Sequence, residues 1–236
     1  MISGKNKEAG KDPHYFALLE CMDNDGCMVC RLLERQVERI IDSLRYEKID
    51  DFEVRRSIHQ SGGFCREHAL QVMEKGDPLV HAIIYSRLFE QKAEALRLEV
   101  NLIRRRGHRN RGKRLESSGG FREDGVPGCL ICQAERELEK RVLPLIPIFF
   151  AQDEAFRDAF KVSGHLCVPH LEAVFAYSKA HSEVRDIISV QIEKYAILAN
   201  HLREIERKFD YRYCGEASCE EERKAWKLAV ALWTGN

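Results

Sequence analysis

The sequence contains no long hydrophobic run. Its longest, Leu143–Ala151, is nine residues and is broken by Pro144 and Pro147, so no segment is expected to span a bilayer. The opening stretch, MISGKNKEAGKDPHYF, has charges but no apolar core behind them, which argues against a secretory signal. Nor is there an excess of charge of either sign. Lys+Arg and Asp+Glu are both 38, giving a formal net charge of +0, so a globally basic nucleic-acid binder is disfavoured. Glycine and proline are scarce, 15 and 6 among 236 residues, which excludes a loop-rich chain. No run of alternating β-branched residues stands out, so a substantial sheet is not expected. Ser/His/Asp sets, phosphate-cradling glycine loops and isolated carboxylate pairs are missing too, and no catalytic residue is assigned.

Cysteine, by contrast, is abundant, with nine residues. An odd number excludes complete internal pairing into disulfides, and the chain is larger than a typical disulfide-stapled scaffold. In a cytoplasmic protein, the location expected here, thiols stay reduced, and many of them point to metal or redox chemistry.

The cysteines fall into a repeated pattern. Gly26-Cys27-Met28-Val29-Cys30 is followed by Cys65-Arg66-Glu67-His68, and Gly128-Cys129-Leu130-Ile131-Cys132 by Cys167-Val168-Pro169-His170. Every matched pair is offset by 102 residues. The register also holds at apolar positions: Ile40 with Val142, Leu44 with Ile146, Ile58 with Phe160, Val72 with Val174, and Leu96 with Leu198. Such an ungapped register implies a duplicated structural unit. The expected organisation is a first CxxC/CxxH helical repeat over 14–106, a basic linker over 107–115, a second repeat over 116–209, and a C-terminal helix in 210–236 docking on the repeats.

Within each copy the period is helical. Leu33, Val37, Ile40, Ile41 and Leu44 form one apolar stripe. Short helices are expected at 50–60 (Phe52 or Val54 and Ile58 inward) and at 65–75, and long ones over 79–106 and 182–208. Pro144 and Pro147 should kink or end the first helix of the second copy early. Near the C-terminus, Ser218 with Glu221 fits a capping box, and Trp226, Ala229, Val230 and Trp233 form a stripe expected to dock. The fold class is therefore all-α, a tandem duplication of a helical unit with an extra C-terminal helix.

Cys-x-x-Cys at a helix start places two sulfurs about one turn apart, where the helix N-terminus favours thiolate. Cys-x-x-His at a second helix start adds a sulfur and an imidazole. Together they make a Cys₃His set suited to closed tetrahedral zinc. Two Zn²⁺ sites are expected, one within each copy: Cys27, Cys30, Cys65 and His68, and Cys129, Cys132, Cys167 and His170. Three thiolates and Zn²⁺ carry a net charge of −1, which Arg31 and Arg66 beside the first set would offset. An iron–sulfur cluster is the alternative cofactor, although the closely spaced cysteine run typical of such proteins is missing. A metalloenzyme with one open metal position is a further alternative. His165 is a competing ligand for His170, disfavoured because Gly63 stands at its matching place. Cys214 and Cys219 are read as structural, and His201 as an ordinary surface or core histidine.

Arg104, Arg105, Arg106, Arg109, Arg111, Lys113 and Arg114 form a basic segment that could hold nucleic acid. Without interleaved aromatics it reads better as a solvated helix end, and a protein partner is the favoured kind of ligand.

The chain resembles an uncharacterised prokaryotic family known as a domain of unknown function. The likeness rests on His14-Tyr15-Phe16-Ala17-Leu18-Leu19-Glu20, the Gly26-Cys27-x-x-Cys30 and Gly63-Phe64-Cys65-x-x-His68 motifs, Phe209-Asp210-Tyr211-Arg212-Tyr213, Ala225-Trp226 and Gly235. This resemblance covers nearly the whole chain and implies no activity.

Overall fold

A computed structural model describes residues 12–22, 26–105, 128–177, 181–213 and 215–235, with the backbone alone at 104, 105 and 181–183. The described residues are all-α. The helices are α1 (Pro13–Met22), α2 (Met28–Ser43), α3 (Phe52–Gln60), α4 (Arg66–Glu74), α5 (Pro78–Arg105), α6 (Leu130–Val142), α7 (Leu145–Gln152), α8 (Glu154–Val162), α9 (Val168–Tyr177), α10 (His181–Lys208) and α11 (Glu220–Thr234). A π-helical turn, Leu44–Lys48, extends α2. The prolines act as expected: α6 stops at Val142, and Pro147 sits in the first turn of α7, where its missing N–H costs no helical hydrogen bond. Most of the basic segment, 106–114, lies outside the described residues, as does Cys214.

The chain divides into two compact units, 1–35 with 137–236 and 36–136. It passes from one to the other inside α2 and back inside α6. These packing units and the sequence repeats are different divisions of the chain. In the first unit the core gathers Leu18, Met22, Met28, Ile146, Phe149, Phe156, Phe160, Val174 and Ile187, with the rings of Tyr15, Phe149 and Phe156 in mutual contact. In the second it gathers Val37, Ile41, Leu44, Ile58, Phe64, Val72, Val80 and Ile84. Of the residues expected inward on α3, Ile58 is buried and Val54 half-buried, while Phe52 is exposed.

Two aspartates fix the short helices. Asp51 caps α3 by accepting from the N–H of Glu53 and Val54, and Asp153 caps α8 by accepting from that of Phe156. They too are 102 residues apart. The Tyr15 hydroxyl donates to Asp153 at 2.8 Å, joining α1 to this cap.

Long helix α10 anchors the loop that leads into Cys167. Lys194 Nζ donates to Phe160 O and Gly164 O, both at 2.6 Å. The Tyr195 hydroxyl donates to Leu166 O at 2.8 Å, and buried Gln191 accepts from Leu166 N at 3.2 Å. Burial pulls the Lys194 ammonium down to about 8, while the two carbonyls and the Phe160 ring favour its charged form. Replacing Lys194 with methionine should destabilise the first unit by about 2–3 kcal/mol, because the Phe160 and Gly164 carbonyls lose a charged donor. A lowered urea midpoint would show it.

On α11 the structure corrects two expectations. The N-cap is Cys219 rather than Ser218: its sulfur accepts from Glu222 N at 3.4 Å. The inward face carries Glu222, Ala225 and Leu232, whereas Trp226, Val230 and Trp233 are exposed. Glu222 on the inward face pairs with Lys208 of α10 at 2.6 Å, and Leu228 and Leu232 pack against the first-unit core in place of the tryptophans.

Candidate metal centres

Each Cys-x-x-Cys stands at a helix start behind a glycine. Gly26 (φ 109°) precedes Cys27 at the head of α2, and Gly128 (φ 137°) precedes Cys129 at the head of α6. A Cβ on Gly128 would lie 2.9 Å from that of Ser61, so glycine is required there for close approach as well as for its dihedral. The Cys-x-x-His pairs stand at the heads of α4 and α9. Cys65 is the N-cap of α4, its sulfur accepting from His68 N at 3.5 Å.

Four helix N-termini thus deliver eight donor side chains, and these converge in two quartets. The first unit brings together Cys27, Cys30, Cys167 and His170; the second, Cys65, His68, Cys129 and Cys132. All donor atoms of a quartet lie within 4.8 Å of one another. The grouping expected from the repeats is therefore corrected: each CxxC meets the CxxH of the other copy. The physical reason lies in α2. Its 16 residues span about 24 Å, so a motif packed against its far end cannot return to the cysteines at its head. Val37, Ile41 and Leu44, on that far half, belong to the core that also holds Val72 of the Cys65/His68 helix.

In both quartets the histidine turns Nδ1 toward the sulfurs. His170 Nδ1 lies 3.4 Å from Cys27 Sγ, 3.3 Å from Cys30 Sγ and 3.1 Å from Cys167 Sγ. His68 Nδ1 lies 3.1 Å from Cys65 Sγ, 3.6 Å from Cys129 Sγ and 3.3 Å from Cys132 Sγ. The sulfur pairs Cys30–Cys167 and Cys132–Cys65 are 3.8 and 3.7 Å apart. A regular tetrahedron around zinc has S···S edges of about 3.8 Å and S···N edges of about 3.5 Å. The quartets have nearly those edges.

The second imidazole nitrogen is also engaged. His170 Nε2 is 3.2 Å from Glu139, and His68 Nε2 is 3.2 Å from Glu135. A carboxylate on Nε2 holds the proton there and leaves Nδ1 to act as a ligand. The repeat register could not have revealed these glutamates, since the matching positions hold Leu33 and Val37. His165 is not part of the quartet. Its carbonyl accepts from Met28 N at 3.0 Å, pinning the backbone beside Cys27.

The electrostatics suit ligand chemistry. Burial pushes the His68 imidazolium down, but Cys129, Glu135 and Cys65 together raise it to about 10. Burial pushes the Cys129 thiol up, yet His68 and nearby backbone N–H groups bring it down to about 6. Cys132 moves upward through burial and the charge of its sulfur neighbours. His170, although buried, is raised by its three cysteines and Glu139. In both quartets the sulfurs and the carboxylate therefore favour positive charge at the histidine. With the grouping corrected, Arg31 follows Cys30 of the first-unit quartet in the chain and Arg66 follows Cys65 of the second-unit one.

Protection differs. All four residues are buried in the first unit, whereas Cys65 and Cys132 are only half-buried in the second. Gly235 contributes to that difference: a Cβ on it would stand 3.4 Å from Cys167 Sγ and 4.0 Å from Cys30 Sγ, so the end of α11 closes over the first quartet.

Fold and donor sets together define an all-α protein with paired Cys₃His clusters compatible with metal binding. Residues 17–235 match the Family of unknown function (DUF6062), and the chain belongs to that family. It is 30% identical over 218 residues to the "Uncharacterized 23.9 kDa protein in xynA 3'region" of Caldicellulosiruptor sp. (strain Rt8B.4), an alignment covering 92% of this chain and 99% of that protein. No solved structure matches it.

Proposed function

We propose that each quartet holds one Zn²⁺ ion structurally, and that the protein is a cytoplasmic binding or scaffolding module for a protein partner. The observation that carries this reading is the mutual spacing of the donors. Four atoms all within 4.8 Å of one another suit a single ion, whereas a multi-iron cluster spreads its ligands over several metal centres. Four protein ligands also close the coordination shell, which fits a structural rather than a catalytic role. A reducing compartment would keep the thiols available as ligands. The exposed face of α11, with Trp226 and Trp233, favours protein association, and the basic segment 104–114 is the place nucleic acid would bind. The same reading takes the 102-residue register as an internal duplication.

Elemental analysis and absorption spectroscopy of anaerobically purified protein test it. Two zinc equivalents that survive dialysis against a chelator, in a colourless sample, are the expected result. Iron with labile sulfide and visible absorption, or no retained metal, would overturn it.

The glutamates supply a sharper check. Glu139→Ala should weaken zinc binding at the first-unit quartet by about 10- to 100-fold and leave the other unchanged, and Glu135→Ala should do the reverse. Both carboxylates are partly exposed, so neither variant opens a core cavity. Competition with a chromophoric chelator measures the effect.

A further inference from the structure

Outside the quartets, one more group of metal-ligating side chains converges. His201 of α10, Cys219 at the cap of α11 and Glu222 in its first turn place their donor atoms within 4.8 Å of one another, all in the first unit. We propose that these three residues form a third metal site, for a divalent cation of zinc type, with one coordination position open.

Local structure accounts for two of the three residues only. Cys219 caps α11, and Glu222 pairs with Lys208. Neither role calls for an imidazole beside the same sulfur and carboxylate. A carboxylate has two oxygens, and Lys208 engages Oε2. One histidine, one thiolate and one carboxylate are three ligands of the types zinc prefers, and three protein ligands plus solvent is the pattern of an open site. A thiolate and a carboxylate match the two charges of the ion, and Lys208 beside Glu222 leaves the cluster net positive. Accessibility differs from that of the quartets, because Cys219 is exposed and His201 half-buried. His201, but neither Cys219 nor Glu222, also lines a cleft of about 760 Å³ that carries Arg31, Lys224 and Lys227 as well as Glu220 and Glu221. The exposed sulfur of Cys219 leaves an ion held by the three residues open to solvent. This site stands whether or not the quartets are occupied.

The test is zinc stoichiometry of the full chain after zinc loading and desalting without chelator. Wild type should retain three equivalents and Cys219→Ser two, with an unchanged circular dichroism spectrum, since serine remains a good N-cap. His201→Gln should also retain two, which decides the matter if the serine variant folds poorly. Cobalt added to zinc-dialysed protein should give a thiolate charge-transfer band that both variants abolish. Two equivalents in wild type at saturation, or a third that persists in both variants, would overturn the inference. A single equivalent in wild type that Cys219→Ser removes would uphold this site and discard zinc in the quartets.

Discussion

Serine replacement of Cys27 and Cys167 together should remove one chelator-resistant metal equivalent, whereas replacement of Cys27 and Cys65 together should remove two. The first pair belongs to one quartet and the second pair straddles both. Within-copy sites would give the opposite result, so metal content alone decides between the two pairings. The structural consequences should be as large. Zinc bound by a closed Cys/His site is worth about 10–16 kcal/mol, comparable with or above the whole stability of an ordinary domain, about 5–15 kcal/mol. A unit that loses its ion is therefore expected to unfold. The Cys27/Cys167 variant should lose the protected amide hydrogens of the first unit and keep those of the second, read by hydrogen exchange. In the Cys27/Cys65 variant, protection should be lost from both.

That experiment turns on the one feature of the centres that sequence spacing could not supply. The eight donor residues were legible because chemistry restricts them to two motifs and a constant offset repeats those motifs. Their partnership was not, because an ungapped repeat permits either assignment. The decision rests on the rigidity of α2, which carries the chain away from Cys27 and Cys30 before Cys65 is reached. Helix positions were legible from period and punctuation: the stretch expected over 79–106 forms Pro78–Arg105, and that over 182–208 forms His181–Lys208. On α11 the same rule misled. Large apolar side chains marked Trp226, Val230 and Trp233 as the inward face, but the adjacent stripe of Ala225, Leu228 and Leu232 packs inward, with Glu222 paired to Lys208. Glu135 and Glu139 gave no signal, since a carboxylate that orients a histidine has no fixed spacing from it along the chain. His201 gave none for a related reason: its neighbours Cys219 and Glu222 are brought to it only by the packing of α11 on α10.

The second large effect concerns the order in which the centres fail. Titration with a strong chelator of protein carrying zinc in the quartets alone should empty the second-unit quartet first, and the second unit should melt while the first remains folded. Two independent features point the same way. Ligand exchange needs an incoming donor to reach the ion, and half-buried Cys65 and Cys132 offer a path that the buried first-unit quartet, closed over by Gly235, does not. The two units also depend on their ions to different degrees. Among the described residues, the buried apolar core of the second unit comprises 11 residues against 21 in the first. Because burial of apolar side chains is the main favourable term in folding, the smaller core leaves more of its unit's stability to the metal. Tyr46 and Tyr85 belong to the second unit, whereas the other five tyrosines and both tryptophans belong to the first. Counting only the metal held by the quartets, tyrosine absorbance should therefore begin to change with the first equivalent released and tryptophan fluorescence only with the second. Simultaneous changes, or tryptophan responding first, would show that burial and core size do not set the order of release.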